Sequence, residues 1–374
     1  MSTITGNELL RVDNLSKTFS VGGGLFRKPL KLKALQDISF TIKRGETLGI
    51  VGESGCGKST LGRCILQLLR PDEGRVVWLG ENLVDLDHET MRTKRRDLQI
   101  IFQDPQASLN PRMTVGEIVA DPLRALMPEL NANQRRQRVM EMMEAVGLQP
   151  EMINRYPHEF SGGQAQRIGI ARALITEPKL IVCDEPVSAL DVSIQAQILN
   201  LLSELKDQFG LTLVFISHNL SVVRHVSDRI LVLYLGRMVE LASGDDLYQD
   251  AKHPYTRALL TAVPIADPKR ARLRNIDALT GEIPSPINPP SGCAFRTRCR
   301  YAISLCAEKR PPSKKPDGDG LSPATAGAKS TTHRRYSRPF RPSRALTEAG
   351  FASIRPANPK GAQRLFLFLS EVRR

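Results

Sequence analysis

The sequence predicts an α/β protein built on a mainly parallel sheet, and three observations carry that prediction. Apolar runs recur with helical patterns between them: 180-LIVC-183, 211-LTLVFIS-217 and 229-RILVLYL-235. Such continuous runs are the mark of strands buried on both faces, which occur where helices cover a parallel sheet. A glycine loop, 52-GESGCGKST-60, follows the apolar run 47-TLGIVG-52 and opens a helical stretch. Upstream, 36-QDISFTI-42 alternates instead, with Ile38, Phe40 and Ile42 on one side and Ser39 and Thr41 on the other. That alternation predicts a half-buried strand.

Along the chain, residues 8–50 read as short strands and the helix after the glycine loop runs through Leu69 to a stop at Pro71. A strand over 98-LQIIF-102 leads into a mostly helical region. Its clearest helix is 133-NQRRQRVMEMMEAVGL-148, with Val139, Met142, Met143 and Val146 on one face and Gly147 as the stop. Residues 194–208 form another helix. From Pro264 the texture changes: 283-IPSPINPPSGC-293 is Pro-rich, and from Pro311 onward a Pro/Ser/Arg/Ala/Gly tail reads as disordered apart from 365-LFLFL-369. The expected organisation is a main domain over 8–264 with a helical part over about 104–165, an extension over 265–310, and a basic tail over 311–374.

The net charge of +14 raises the question of nucleic acid, and its location answers it. Residues 311–374 hold 13 Lys+Arg against 4 Asp+Glu, whereas the other 310 residues hold 40 against 35. The body is only mildly basic, so no nucleic-acid partner is expected. With no apolar run of 18 residues and no basic-then-apolar start, a cytoplasmic location is expected. Of the six cysteines, Cys56, Cys64 and Cys183 sit singly, while Cys293, Cys299 and Cys306 cluster, a pattern that favours a metal over disulfides.

The glycine loop fits G-x-x-x-x-G-K-[ST] in its required strand–loop–helix setting. Gly52, Glu53, Ser54, Gly55, Cys56, Gly57, Lys58, Ser59 and Thr60 form a cradle of backbone N–H groups at a helix N-terminus. Lys58 can reach the β/γ-phosphates of ATP, and the Ser59 hydroxyl can ligate Mg²⁺. At the end of 179-KLIVCDE-185, Asp184 is placed to hold Mg²⁺ and Glu185 to polarise a water for attack on the γ-phosphate. Gln103 and His218 each follow a strand, at the sheet edge where ligands bind in such folds. Gln103 offers a ligand to Mg²⁺ and water, and His218 a contact to the γ-phosphate.

These motifs, with 161-SGGQ-164 and 188-SALD-191, resemble the ATP-binding-cassette ATPases over about residues 8–265. The stretches 101-IFQDPQASLNPRMTVGE-117, 155-RYPHEFSGGQAQRIGIARAL-174, 253-HPYTRALL-260 and 284-PSPINPPSGCAFRTRC-299 are similar, more narrowly, to the ATPase subunits of bacterial oligopeptide/dipeptide importers, the second ATPase above all. Nickel importers share part of the pattern and are the alternative. A DNA-repair ATPase of the same superfamily is a rival from another class, but the short segment from Gln103 to Phe160 has no heptads to carry its coiled coils. A non-catalytic scaffold is argued against by Lys58, Asp184, Glu185 and His218.

The resemblance implies an N-terminal antiparallel β subdomain, a parallel core, a helical subdomain and a small Cys-containing extension. It implies pairing head to tail with a second ATPase subunit, a paralogue, so that Ser161, Gly162, Gly163 and Gln164 of one cassette grip ATP held by the other, with Asp191 contributing nearby. Phe19 aligns with the aromatic that stacks on adenine; a strand-end core residue is the alternative. Two membrane permeases and an extracytoplasmic solute-binding protein complete the implied assembly at the cytoplasmic face of the inner membrane. For Cys293, Cys299 and Cys306 the resemblance is to a four-thiolate 4Fe–4S site. This chain lacks the fourth cysteine, departing from its relatives between Pro311 and Gly320, as a frameshift or replaced terminus would produce. His333 or an outside ligand would have to complete the set; the alternative is three reduced thiols.

Overall fold

In the computed structural model, residues 7–22, 29–262 and 281–310 are described, with the backbone of 313–314 and 322–323. The expectations for Pro264, the tail, His333 and 365-LFLFL-369 fall outside the described residues, apart from one short pairing of 313–314 with 322–323. The chain forms two units. One takes residues 7–91, 182–185 and 206 onward; the other takes 92–181 and 186–205.

The first unit opens with two 14-residue strands, β1 (Glu8–Val21) and β2 (Leu30–Lys43), paired antiparallel. They join β4 (Glu73–Trp78) and β5 (Glu81–Asn82) in the order β2-β1-β4-β5. Ile38, Phe40 and Ile42 are buried, as the alternation requires, and Trp78 is among the largest fully buried side chains. Each such side chain contributes about 1.5–3 kcal/mol relative to exposure.

Strand β3 (Thr47–Val51) is buried at every residue and lies between β8 (Thr212–Ile216) and β9 (Arg229–Tyr234), parallel to both. Beyond β9 the antiparallel β10 (Arg237–Ser243) closes that side. On the other side of β8 comes β7 (Leu180–Asp184), whose last three residues belong to this unit. The phosphate-type loop leaves β3 and enters α1 (Lys58–Ile65). Gly62 lets α1 approach this sheet: a Cβ there would meet Ile216 and Val182 at 2.9 Å. Helix α1 ends earlier than Leu69. Gln67 takes φ 51, and the amides of Gln67 and Leu68 turn back to the carbonyls of Cys64 and Arg63. A left-handed residue closes the helix before Pro71 is reached. A short helix, α2 (His88–Lys94), follows β5.

The second unit holds β6 (Leu98–Ile101), which flanks β7, and the helices α3 (Val115–Leu126), α4 (Ala132–Ala145), α5 (Gly162–Leu174) and most of α6 (Val192–Phe209). Helices α3, α4 and α5 each begin with a reciprocal capping box, Thr114–Glu117, Asn131–Gln134 and Ser161–Gln164. Val139, Met142, Met143 and Val146 are all buried, and Gly147 turns with φ 74 after α4. Pro122 sits inside α3.

Returning to the first unit, α7 (Leu220–Val226) follows β8, and α8 (Gly244–Asp250) and α9 (Pro254–Ala262) follow β10. The extension of residues 281–310 is mostly irregular and ends in α10 (Leu305–Glu308). It is pinned by Phe295, which is 3% exposed and packs against Tyr234 of β9 and Tyr255 of α9, with ring centroids 5.3 and 5.4 Å away.

Candidate nucleotide-binding site

The loop from Gly52 to Thr60 is shaped by its glycines. Gly57 has φ 108, and a Cβ on it would lie 2.4 Å from the carbonyl oxygen of Ala34, so only glycine fits. Lys58 begins α1 and is 5% exposed. Its Nζ donates to the carbonyls of Gly52 (2.8 Å) and Glu53 (3.1 Å), curling the loop around the ammonium. Cys56 is not a nucleophile in this setting: burial pushes its thiol up to about 11.

Ser59 Oγ donates to Asp184 Oδ1 at 2.7 Å, so two residues 125 apart in sequence meet as the motifs predict. Asp184 is 3% exposed. Burial pushes its pKa up, opposed by the Ser59 hydrogen bond and by Arg63 and Lys58, while the charge of Glu185 pushes it further up. A carboxylate so placed gains from a nearby cation. The adjoining oxygens of half-buried Ser59 and buried Asp184 suit Mg²⁺, a hard ion bound by few protein oxygens.

Glu185 leaves the strand with φ 49, a left-handed conformation that costs a non-glycine residue about 1–2 kcal/mol. Its N–H is donated to the carbonyl of Ile216 (3.0 Å), which holds that turn. Its Oε2 lies 3.2 Å from Nδ1 of His218, whose side chain is 58% exposed. The adjacent carboxylates are thus separated in environment: Asp184 faces Ser59, Glu185 faces His218. Phe19, on β1, is half-buried with Lys17 Nζ 5.9 Å from its ring centre, and is not a core residue.

In the second unit, Ser161 caps α5. Its N–H donates to Gln164 Oε1 (3.0 Å), and Gln164 N–H donates to Ser161 Oγ (3.4 Å). A Cβ on Gly163 would meet Ile194 of α6 at 2.7 Å, so glycine lets the start of α5 sit against α6. Asp191 is exposed just before α6, its carbonyl accepting from the N–H of Gln195 at 2.8 Å. Gln103 is exposed after β6.

The expected metal at Cys293, Cys299 and Cys306 finds no support. All three are free, and among the described residues no group of three His, Cys, Asp or Glu side chains could hold a metal ion. Burial first, then the neighbouring thiols, pushes Cys293 and Cys299 up. The chain does bond here, but through backbone: the Cys293 N–H donates to the carbonyl of Cys306 at 2.8 Å.

Two contacts on the loop are not foreshadowed by any motif. Arg298 places Nη1 and Nη2 on the two carboxylate oxygens of Glu53, at 2.7 and 3.0 Å. The N–H of Glu53 donates to the hydroxyl of Tyr255 at 2.9 Å. The Glu53 side chain therefore faces the extension. Sequence separation of more than 200 residues hides both contacts; only the likeness of 253-HPYTRALL-260 and 284-PSPINPPSGCAFRTRC-299 to the importer ATPases singles out the stretches that make them.

Residues 35–188 match the ABC transporter family, and residues 239–306 match the oligopeptide/dipeptide transporter C-terminal region. The oligopeptide transport ATP-binding protein OppF of Haemophilus influenzae is 56% identical over 315 residues, covering 83% of this chain and 95% of that protein. The chain belongs to the ABC transporter family. The dipeptide transport ATP-binding protein DppF of the same organism is 50% identical to this cassette over 305 residues, covering 81% of this chain and 92% of its own length. Among solved structures, the dimeric cassette MJ0796 bound to ADP and Pi matches with a TM-score of 0.56 and 33% identity, over 63% of this chain and 98% of its own. The cassette is an ATP-binding, ATP-hydrolysing subunit of an ABC transporter. No helix among the described residues is long and apolar enough to cross a membrane.

Proposed function

We propose that this cassette powers import of oligopeptides or dipeptides across a bacterial inner membrane from its cytoplasmic face. The observation that carries this reading is the joint match of both regions, cassette and C-terminal, to peptide-transport ATPases. The transporting assembly would comprise this chain, a paralogous ATPase, two permeases and an extracytoplasmic binding protein.

Within the cassette, Lys58 and the loop amides bind the phosphates, and Phe19 offers a half-exposed ring to adenine. Ser59 and Asp184 would hold Mg²⁺, which when bound neutralises phosphate charge. Glu185 accepts a proton from the attacking water, and His218 orients the Glu185 carboxylate from 3.2 Å. The start of α5, with Ser161, Gly162, Gly163 and Gln164, completes the site of the partner cassette, Asp191 assisting. A helix N-terminus with small residues is an anion site. The relative MJ0796, a dimer with ADP and Pi, is consistent with such pairing. ATP that bridges two cassettes stabilises the closed pair and its loss releases it, which is the differential binding a switch needs. In the helical unit, α3, α4, Ile153 and Asn154 line a cleft of about 350 Å³ with Arg124, Arg135 and Arg136 on its wall, which would receive a permease segment.

The test is reconstitution of the assembled complex in vesicles. Peptide presented with the binding protein should raise ATP hydrolysis and accumulate inside. Stimulation by nickel, with none by peptides of two to five residues, would overturn the substrate class.

A further inference from the structure

Glu53 is an electrostatic anomaly. It is the second residue of a loop whose work is to hold a polyanion, and the motif leaves that position open to any residue. A carboxylate there repels phosphate unless something cancels it. Its side chain is only 20% exposed, so water screens it incompletely.

All three polar groups of Glu53 are gripped, each from a different part of the first unit. The carboxylate takes the two-pronged Arg298 guanidinium from the extension. Its N–H goes to Tyr255 of α9, and its carbonyl receives the Lys58 ammonium. The Arg298 side chain is 4% exposed, and Phe295, three residues before it, is locked among Tyr234 and Tyr255. A buried planar fork on a carboxylate is a fixed counter-ion rather than a loose surface pair.

We propose that Arg298 is a positioning residue for the nucleotide site: it neutralises Glu53 and fixes the Gly52–Glu53 carbonyls on which Lys58 rests, so the extension is a working part of ATP binding. This rests on the assignment of residues 52–60 as the phosphate loop, and the experiment separates the two.

Affinity of the purified full-length chain for a fluorescent ATP analogue is measured at low and high salt, with melting temperature in parallel. Arg298→Met should weaken binding about tenfold at low salt and less at high salt, since the lost term is a charge–charge one. Adding Glu53→Gln to Arg298→Met should restore binding to within about threefold of wild type, because the exposed repulsion is gone. In the assembled complex Arg298→Met should raise KM for ATP and leave kcat within about twofold. A role in packing alone would lower the melting temperature without this rescue or salt dependence. Wild-type affinity in Arg298→Met, while Lys58→Ala loses binding, overturns the proposal and spares the loop assignment; wild-type affinity in Lys58→Ala overturns the loop assignment itself. Should Arg298→Met not fold, Arg298→Gln, equally neutral but able to hydrogen-bond, replaces it. A weakening relieved to within about threefold of wild type by Glu53→Gln supports the proposal, and an unrelieved or absent weakening overturns it.

Discussion

Asp184 and Glu185 are neighbouring carboxylates with different companions, and the companions assign their work. Asp184 is buried against Ser59, while Glu185 turns out through a left-handed residue to meet His218. Glu185→Gln keeps the volume and removes the base. Hydrolysis by the assembled complex should fall about 100-fold or more, with ATP affinity unchanged; a turnover near wild type would mean that another group activates the water. Away from the site, His253 makes a separate test. Its ring is buried beside Phe295, its Nδ1 accepts from the N–H of Tyr255, and burial, with Arg310 nearby, lowers its pKa from 6.5 to about 4. A pKa depressed by folding means that the unfolded chain binds the proton more readily. The contribution is therefore whole above pH 6.5 and is lost as pH falls toward 4. In urea melts, wild type should lose on the order of 1–2 kcal/mol more than His253→Gln between pH 7.5 and 5, and equal losses would show that His253 does not titrate there. Residues of the loop were readable from sequence because their chemistry is local. Arg298 and Tyr255 were not, because a counter-ion's partner is set by tertiary approach alone.

Among elements, the buried strands were the most legible, since β3, β7, β8 and β9 are covered on both faces and need no polar alternation. Strand β1 was blurred: its pairing with β2 shifts register four times, and each shift breaks the period-two pattern that a sequence reading depends on. Helix α1 is shorter than Pro71 alone implies, because Gln67 stops it by adopting a conformation its residue type does not advertise. The start of α5 was legible as an anion site but not as a capping box, although both use Ser161 and Gln164. That double use predicts a separable outcome. Replacing Ser161 and Gly162 by bulky residues removes one cap, about 1 kcal/mol, and fills the helix N-terminus. The isolated chain should remain folded and bind ATP through its own loop, while hydrolysis by the assembled complex collapses. Unchanged hydrolysis there would exclude a shared site.

At the scale of the whole molecule, the chain leaves and re-enters its first unit twice, and residues 182–185 return to it after a long excursion through the helical unit. The extension makes a third long-range return. Nothing in its Pro-rich composition announces a core, yet Phe295 is 3% exposed and Arg298 sits on the loop. Two truncations should therefore behave oppositely. A chain ending at residue 310 keeps Phe295, Arg298 and the backbone bond between Cys293 and Cys306. It should bind ATP and melt as the full chain does, for all that it discards a net charge of +9. A chain ending at residue 280 uncovers Tyr234 and Tyr255 and leaves the Glu53 carboxylate without its guanidinium. Lost burial and ring packing of the phenylalanine alone amount to about 2–4 kcal/mol, so this chain should melt several degrees lower and bind ATP more weakly. Part of the affinity loss should return on Glu53→Gln, since that substitution removes the repulsion but cannot replace the packing. Equal ATP affinity and melting temperature for the two truncations would reduce the extension to a passenger on the cassette.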